Sequence, residues 1–357
     1  MACMKNLFLL FLFIIIATQA FAQKAYQDSN ITNFFKREKG MIAADGGYTI
    51  PLNDGRVLWL FGDSYIDDYD PKTRTTPCLF GANNSLLIQP KGDWDWRHTI
   101  TQPGSDGSAS FFKAQPGNFI WPLTGFQHGD TVYIFCLNLH KNGPGQYDMQ
   151  NVGDTWAKIY VPTMRVVSYS RLQDFGDITF GEGFIKEKGW VYTYGLAKNK
   201  IYAARFAENM PNSAWSFWDG SGWQPDVKKC AAIADVPGFS MYMCKVKNRY
   251  VLFSTEFSLT CDAGKDIYVS TSASPTGPFP PRKTIYTIAD SKQGHRPFFY
   301  GPLAHPEYIN KKGELLMDYS INGYEPCVTS CVNGKYDPDN YRARAIWIPL
   351  KLIDPSL

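Results

Sequence analysis

One unit recurs five times along this chain: two extended runs around a polar turn, then a third β-rich run. No other feature restricts the fold as much. In the first copy, residues 48–52 meet the turn Asn53-Asp54-Gly55 and the chain returns over 56–61. Asp-Gly between two such runs is a strong hairpin signal, because a tight turn needs positive φ. The later hairpins pair 118–126 with 131–135, 183–185 with 190–194, 239–244 with 249–253, and 306–309 with 314–317. Third runs follow at 85–88, 165–169, 201–204, 267–270 and 343–347. The spacing of roughly 60 to 75 residues is long for a propeller blade but allows loop insertions. A β-sandwich pair would not need five copies of one unit, and a β-helix would have shorter, more regular rungs. The expectation is an all-β, five-bladed β-propeller over residues 23–357, with the N-terminal segment closing the ring against the last blade.

Residues 1–22 read as a signal peptide. Lys5 supplies the positive flank, 7–17 the apolar core, and Ala20-Phe21-Ala22 a small-x-small cleavage site. Cleavage near Ala22 predicts export to the periplasm or the medium. No later stretch approaches the roughly 20 apolar residues of a membrane span, so no membrane insertion is expected. The formal charge of +3 falls to +2 without Lys5, with both signs interspersed, which argues against a nucleic-acid partner. Beyond Cys3 the cysteines are Cys78, Cys136, Cys230, Cys244, Cys261, Cys327 and Cys331. An odd number leaves at least one thiol unpaired, and Cys327 and Cys331 are close enough in sequence to bridge locally.

In a propeller the hairpin turns share one face, and residues before each first strand or after each second strand share the other. That face collects Asp45 and Asp63 from the first unit, and Trp121 and Asn138 from the second. The third gives Asp177 and Glu182, the fourth Glu256, and the fifth His305 and Asn322. Paired carboxylates suit acid/base chemistry or a metal; the plainer alternative is that each Asp caps a strand end. Aromatic residues make up 15% of the chain, and Trp94, Trp96, Trp121, Trp156, Trp215, Trp218 and Trp223 are candidate sugar platforms.

The run Val57-Leu58-Trp59-Leu60-Phe61-Gly62-Asp63-Ser64 resembles the WLFGD(T/S) signature of bacterial secreted five-bladed propellers, among them endo-acting D-arabinanases. Ser270-Thr271-Ser272-Ala273-Ser274-Pro275-Thr276-Gly277-Pro278-Phe279 is similar to a segment of the arabinanase and β-xylosidase group and of the related invertase group. The resemblance implies a glycoside hydrolase with carboxylates around the propeller axis. Asp45 then takes the place of the general base, Asp63 that of a tuning or sugar-binding acid, and Glu182 that of the general acid. The fourth unit departs from the pattern: Val236-Pro237-Gly238-Phe239-Ser240 has no carboxylate where that group often carries one. His305 resembles the fifth-blade histidine that approaches the axis near a bound metal or water.

The sequence therefore points to an exported hydrolase of arabinan-like or other pentose-containing glycans, with Asp45, Glu182, Asp63 and Glu256 as catalytic candidates. Trp121, Asn138, Asp177, His305 and Asn322 are candidates for binding substrate. A non-catalytic glycan-binding propeller is the alternative. No cofactor is required, although the acidic loop Asp67-Asp68-Tyr69-Asp70 raises a structural calcium as a third possibility.

Overall fold

The computed structural model describes residues 24–144, 148–256, 261–323 and 327–357. The expected signal peptide and Cys3 lie outside the described residues. The chain is nearly all-β, with only short helical turns besides strands. No helix among the described residues is long and apolar enough to cross a membrane.

Among the described residues five antiparallel sheets of at least four strands succeed one another. Sheet I holds Met41–Pro51, Val57–Ile66, Ser85–Gln89 and Ile100–Gln102. Sheet II holds Asn118–His128, Thr131–Lys141, Met149–Tyr160 and Arg165–Arg171. Sheet III begins Thr179–Glu187, Trp190–Ala197, Lys200–Ala207, and sheet IV runs Ser240–Val246, Arg249–Thr255, Asp266–Ser272, Lys283–Thr287. Sheet V orders Phe298–Ile309, Glu314–Asn322, Arg344–Pro349 and finally Tyr26–Gln27 from the other end of the chain. In the first hairpin Gly55 N–H donates to Leu52 O at 2.9 Å, and the Asp54 carboxylate takes the Arg56 N–H at 3.0 Å. In sheet II the expected third run, 165–169, belongs to the fourth strand. The third is Met149–Tyr160.

Each sheet is apolar on both faces because each has a sheet on either side. Leu58, Leu60 and Leu86 of sheet I pack with Ile120, Ile134 and Ala157 of sheet II. Phe126, Phe135 and Trp156 of sheet II meet Phe180, Phe206 and Phe217 of sheet III, with Trp215 among them. Ile185, Tyr194 and Ile201 face Met241, Met243 and Leu252 across III and IV. Val251, Phe253 and Ile267 face Leu315, Met317 and Ile346 across IV and V. Phe34 and Phe35, at the end of helix Ser29–Phe34, sit on Trp59, against which Tyr308 of sheet V stacks at 6.4 Å. The first strands touch in the order I, II, III, IV, V and back to I. Full burial of one such large side chain is worth about 1.5–3 kcal/mol.

Two disulfides join loops of different sheets, Cys78–Cys331 and Cys261–Cys327. The local bridge between Cys327 and Cys331 does not form. A small sheet of Thr76–Pro77, Lys335–Tyr336 and Cys331–Val332 carries Cys331 to Cys78 instead. Cys136, Cys230 and Cys244 are free thiols.

The first strands are not regular. Pairing shifts between Ala44 and Tyr48 in sheet I, between Phe180 and Phe184 in sheet III, and between Tyr300 and Leu303 in sheet V. Such bulges turn side chains away from the plain alternation of a strand. At Gly183 the shift needs φ of +134°, and a Cβ there would lie 2.0 Å from Met243 O of the next sheet. Gly183→Ala is therefore expected to lower the Tm by about 1–4 °C, since such backbone strain costs about 1–3 kcal/mol. An unchanged calorimetric Tm would remove this account of the bulge.

Candidate active site

The bulges deliver their side chains to one place. A cavity of about 250 Å³ is lined by Asp45, Tyr48, Trp121, Glu182, Phe239 and Tyr300, with Gly46, Gly62 and Ser320 among the remaining walls. Asp45 leans across the backbone of Gly62, where a Cβ would stand 2.6 Å from Asp45 Oδ1. Any larger residue at position 62 would displace the carboxylate. Gly46 N–H donates to Ser320 Oγ at 3.0 Å, which ties the sheet I bulge to sheet V.

Each acid has its own polar company. Tyr300 donates its hydroxyl to Asp45 Oδ2 at 3.0 Å, and the Tyr341 side chain also hydrogen-bonds Asp45. Asp63 Oδ1 accepts from Trp121 Nε1 at 3.1 Å and Asn83 Nδ2 at 3.2 Å. Glu182 Oε2 accepts from Tyr48 at 3.1 Å. Burial pushes the Glu182 carboxyl up to about 7, with Tyr48 pulling the other way. Burial also raises Asp63, and the neighbouring Asp45 charge raises it further. Asp45 is raised by burial too, but two tyrosine hydroxyls and backbone N–H groups oppose the rise. Asp45, with the most donors, stands lowest at about 6, whereas Asp63, beside the Asp45 charge, and Glu182 both stand at about 7.

Of the sequence candidates, Asp45, Glu182 and Trp121 line this cavity, and Asp63 joins them through Trp121. Asn322 lies behind, its Nδ2 3.5 Å from the Tyr300 hydroxyl. The others lie elsewhere. Glu256 follows Thr255, the partner of Ser240, but its carboxylate accepts the Tyr268 hydroxyl at 2.7 Å and does not line the cavity. Asp177 precedes its strand instead of opening it and pairs with Lys198 at 2.8 Å, its side chain 74% exposed. Asn138 is held by Gly153 O and Thr155 Oγ1 and faces a separate cavity with Arg171. His305 is fully buried against Trp59, its Nδ1 2.8 Å from Thr49 Oγ1 and its Nε2 3.4 Å from Asp318. Trp156 and Trp215 are core residues, not platforms. In the acidic loop, Asp67 accepts Gly40 N–H, and Asp70 accepts Lys72 N–H and the Thr73 hydroxyl. Among the described residues no group of three or more His, Cys, Asp or Glu is placed to hold a metal.

Sequence reasoning missed the three tyrosines and Phe239. Tyr48 was in view within the first hairpin, but only the bulge before it shows that it shares a cavity with Asp45. Tyr300 and Tyr341 come from the far end of the chain, and nothing local to them marks their target.

The model of a domain of unknown function, DUF5005, matches residues 28–348. No curated protein matches the chain by sequence. A candidate hydrolase from Bacteroides ovatus has a similar structure, with a TM-score of 0.72 at 18% identity over 91% of this chain and 90% of its own. That likeness is one of fold. An exo-β-1,3-galactanase from Phanerochaete chrysosporium has a TM-score of 0.49 at 12% identity, over 92% of this chain and 64% of its own. One from Clostridium thermocellum has the same TM-score at 10% identity, over 92% and 63%. This chain thus spans less than two thirds of either galactanase.

The raised carboxyl of Glu182 links stability to pH. The folded chain keeps this proton to about 7, whereas the unfolded chain loses it near 4.5. Between those values the folded state binds more protons, so the stability contributed falls as pH rises through the window. Glu182→Gln removes this dependence. Its Tm advantage over wild type is expected to be near zero at about pH 4, widening to a plateau of a degree or more above about pH 7. Calorimetry across that range checks it, and a flat or inverted difference would contradict the burial account.

Proposed function

This chain belongs to the DUF5005 family, and we propose that it is an exported glycoside hydrolase built as a five-bladed β-propeller. Five successive antiparallel sheets with first strands in cyclic contact support the blade reading, as does the N-terminal strand Tyr26–Gln27 completing sheet V. The two disulfides suit an oxidising compartment and so support export. The single observation that carries the hydrolase reading is the convergence of Asp45 and Glu182 on one cavity, with Asp63 held to its wall through the Trp121 indole N–H.

Glycosidic cleavage needs one acid to protonate the leaving oxygen and one carboxylate to activate water. Glu182 is the general acid: it keeps its proton close to neutrality because burial disfavours its charge and only Tyr48 opposes that. Asp45 is the general base, held ionised and oriented by Tyr300 and Tyr341. Asp63 is the third acid, a carboxyl whose charge state responds to Asp45 and which fixes Trp121 through its indole N–H. A plain hydrolysis along these lines calls on no cofactor. Pentose-containing glycans such as arabinan are the favoured substrates.

Asp45→Asn and Glu182→Gln are each expected to cut the release of reducing ends from arabinan, with xylan and galactan run in parallel, by about 10²–10⁴-fold. Both variants should remain folded by thermal melting. Full activity in both would end the assignment.

A further inference from the structure

Phe239 is 69% exposed and yet lines the acid cavity. It stands in the loop just before Ser240–Val246, at the position where the resemblance leads one to expect a carboxylate. A phenylalanine that exposed forgoes most of its burial energy, so its packing does not account for it. It joins the carboxyl-lined interior to solvent, and its free ring area faces whatever extends out of the cavity.

The cavity itself is small. At about 250 Å³ it falls below the roughly 300–1,000 Å³ of pockets for drug-sized ligands, and it is near the size of one sugar ring with a few waters. A site for the interior of a polysaccharide needs a groove with room for several rings in line. This one offers room for about one ring in a pocket open to solvent, with Trp121 and Tyr300 on its walls and one exposed aromatic ring among its lining.

We propose that the cavity has two subsites and takes chain ends: one terminal ring sits among Asp45, Trp121, Glu182 and Tyr300, and the next ring stacks on Phe239. The inference rests on the hydrolase reading for its direction. The carboxyls act on the anomeric carbon of the inner ring, so that ring is the glycone and the leaving sugar lies toward Phe239. The inner ring is then the non-reducing terminus. Water oxygen bonds to the anomeric carbon, the bond to the leaving oxygen breaks, Glu182 gives that oxygen its proton, and Asp45 takes one from the water. A flat aromatic ring suits the role of Phe239, because its face accepts the C–H-rich face of a sugar without fixing its hydroxyls. Phe239 is thus a positioning residue for the leaving group.

Two measurements separate this proposal from the hydrolase reading. In the first, calorimetry uses the full chain carrying Glu182→Gln with arabinose, xylose and galactose and their linear oligomers of two to six units. Affinity is expected to rise about three- to tenfold from one unit to two and then level off, the scale of one aromatic contact. Adding Phe239→Ala should remove that rise and leave single-sugar binding unchanged, and Phe239→Trp should restore it. Affinity that keeps climbing beyond three units, a Phe239→Ala variant that binds two units normally, or no binding of any probe would overturn the proposal. In the second, wild type acts on the same oligomers. Single sugars as the only early product support chain-end action, whereas mixed lengths from the start refute it and leave the hydrolase reading intact. No product alongside length-limited, Phe239-dependent binding would sink the hydrolase reading and keep the two subsites.

Discussion

Asp45 and Glu182 line one cavity and Asp63 stands behind Trp121 in its wall, and the cost of keeping these three charges away from water governs what surrounds them. An isolated buried carboxylate answers that cost by holding its proton. Here the answer differs from acid to acid, because the donors are dealt unevenly. Among the described residues Tyr300 and Tyr341 serve Asp45, Trp121 and Asn83 serve Asp63, and Tyr48 serves Glu182. Uniform burial would give three similar acids. The added hydrogen bonds set Asp45 lowest, at about 6, below Asp63 and Glu182 at about 7, which favours Asp45 for the base role.

The backbone carries the same logic. A regular strand would send Asp45 and its neighbours alternately into the two flanking cores, where charge is intolerable. The shifts of register after Ala44 and between Phe180 and Phe184 break that alternation and aim both acids along the shared cavity. Gly62 contributes by having no side chain where Asp45 must lie. The strain is supported by large apolar interfaces on both sides of each sheet, such as the Phe126, Trp156 and Phe206 contacts between sheets II and III.

Much of this was legible in the sequence, for identifiable reasons. Hairpin turns depend on neighbouring residues, so Asn53-Asp54-Gly55 and its four relatives marked their strands. The repeat then placed Asp45 and Glu182 at equivalent positions without a structure. It failed wherever a single residue of offset matters. Asp177 lies two positions before its strand begins and so points to solvent, and Glu256 sits past the end of its own. His305 was placed near the axis but is sealed beneath Trp59 and Asp318. Long-range pairings leave no local mark: 253 residues separate Cys78 from Cys331, and 255 separate Tyr300 from Asp45.

The Cys78–Cys331 bond has a consequence at the seam between sheets I and V. Sheet V is completed by only two N-terminal residues, Tyr26–Gln27, backed by Asp28 N–H to Ala345 O and Trp347 Nε1 to Asp28 Oδ2. A closure that brief would fray, and a protease that trimmed the N-terminal segment would erase it. The covalent link spans the same two sheets from a different loop pair, so a clipped molecule still holds its first and last sheets together. Wear at the end of the chain need not travel to Asp45.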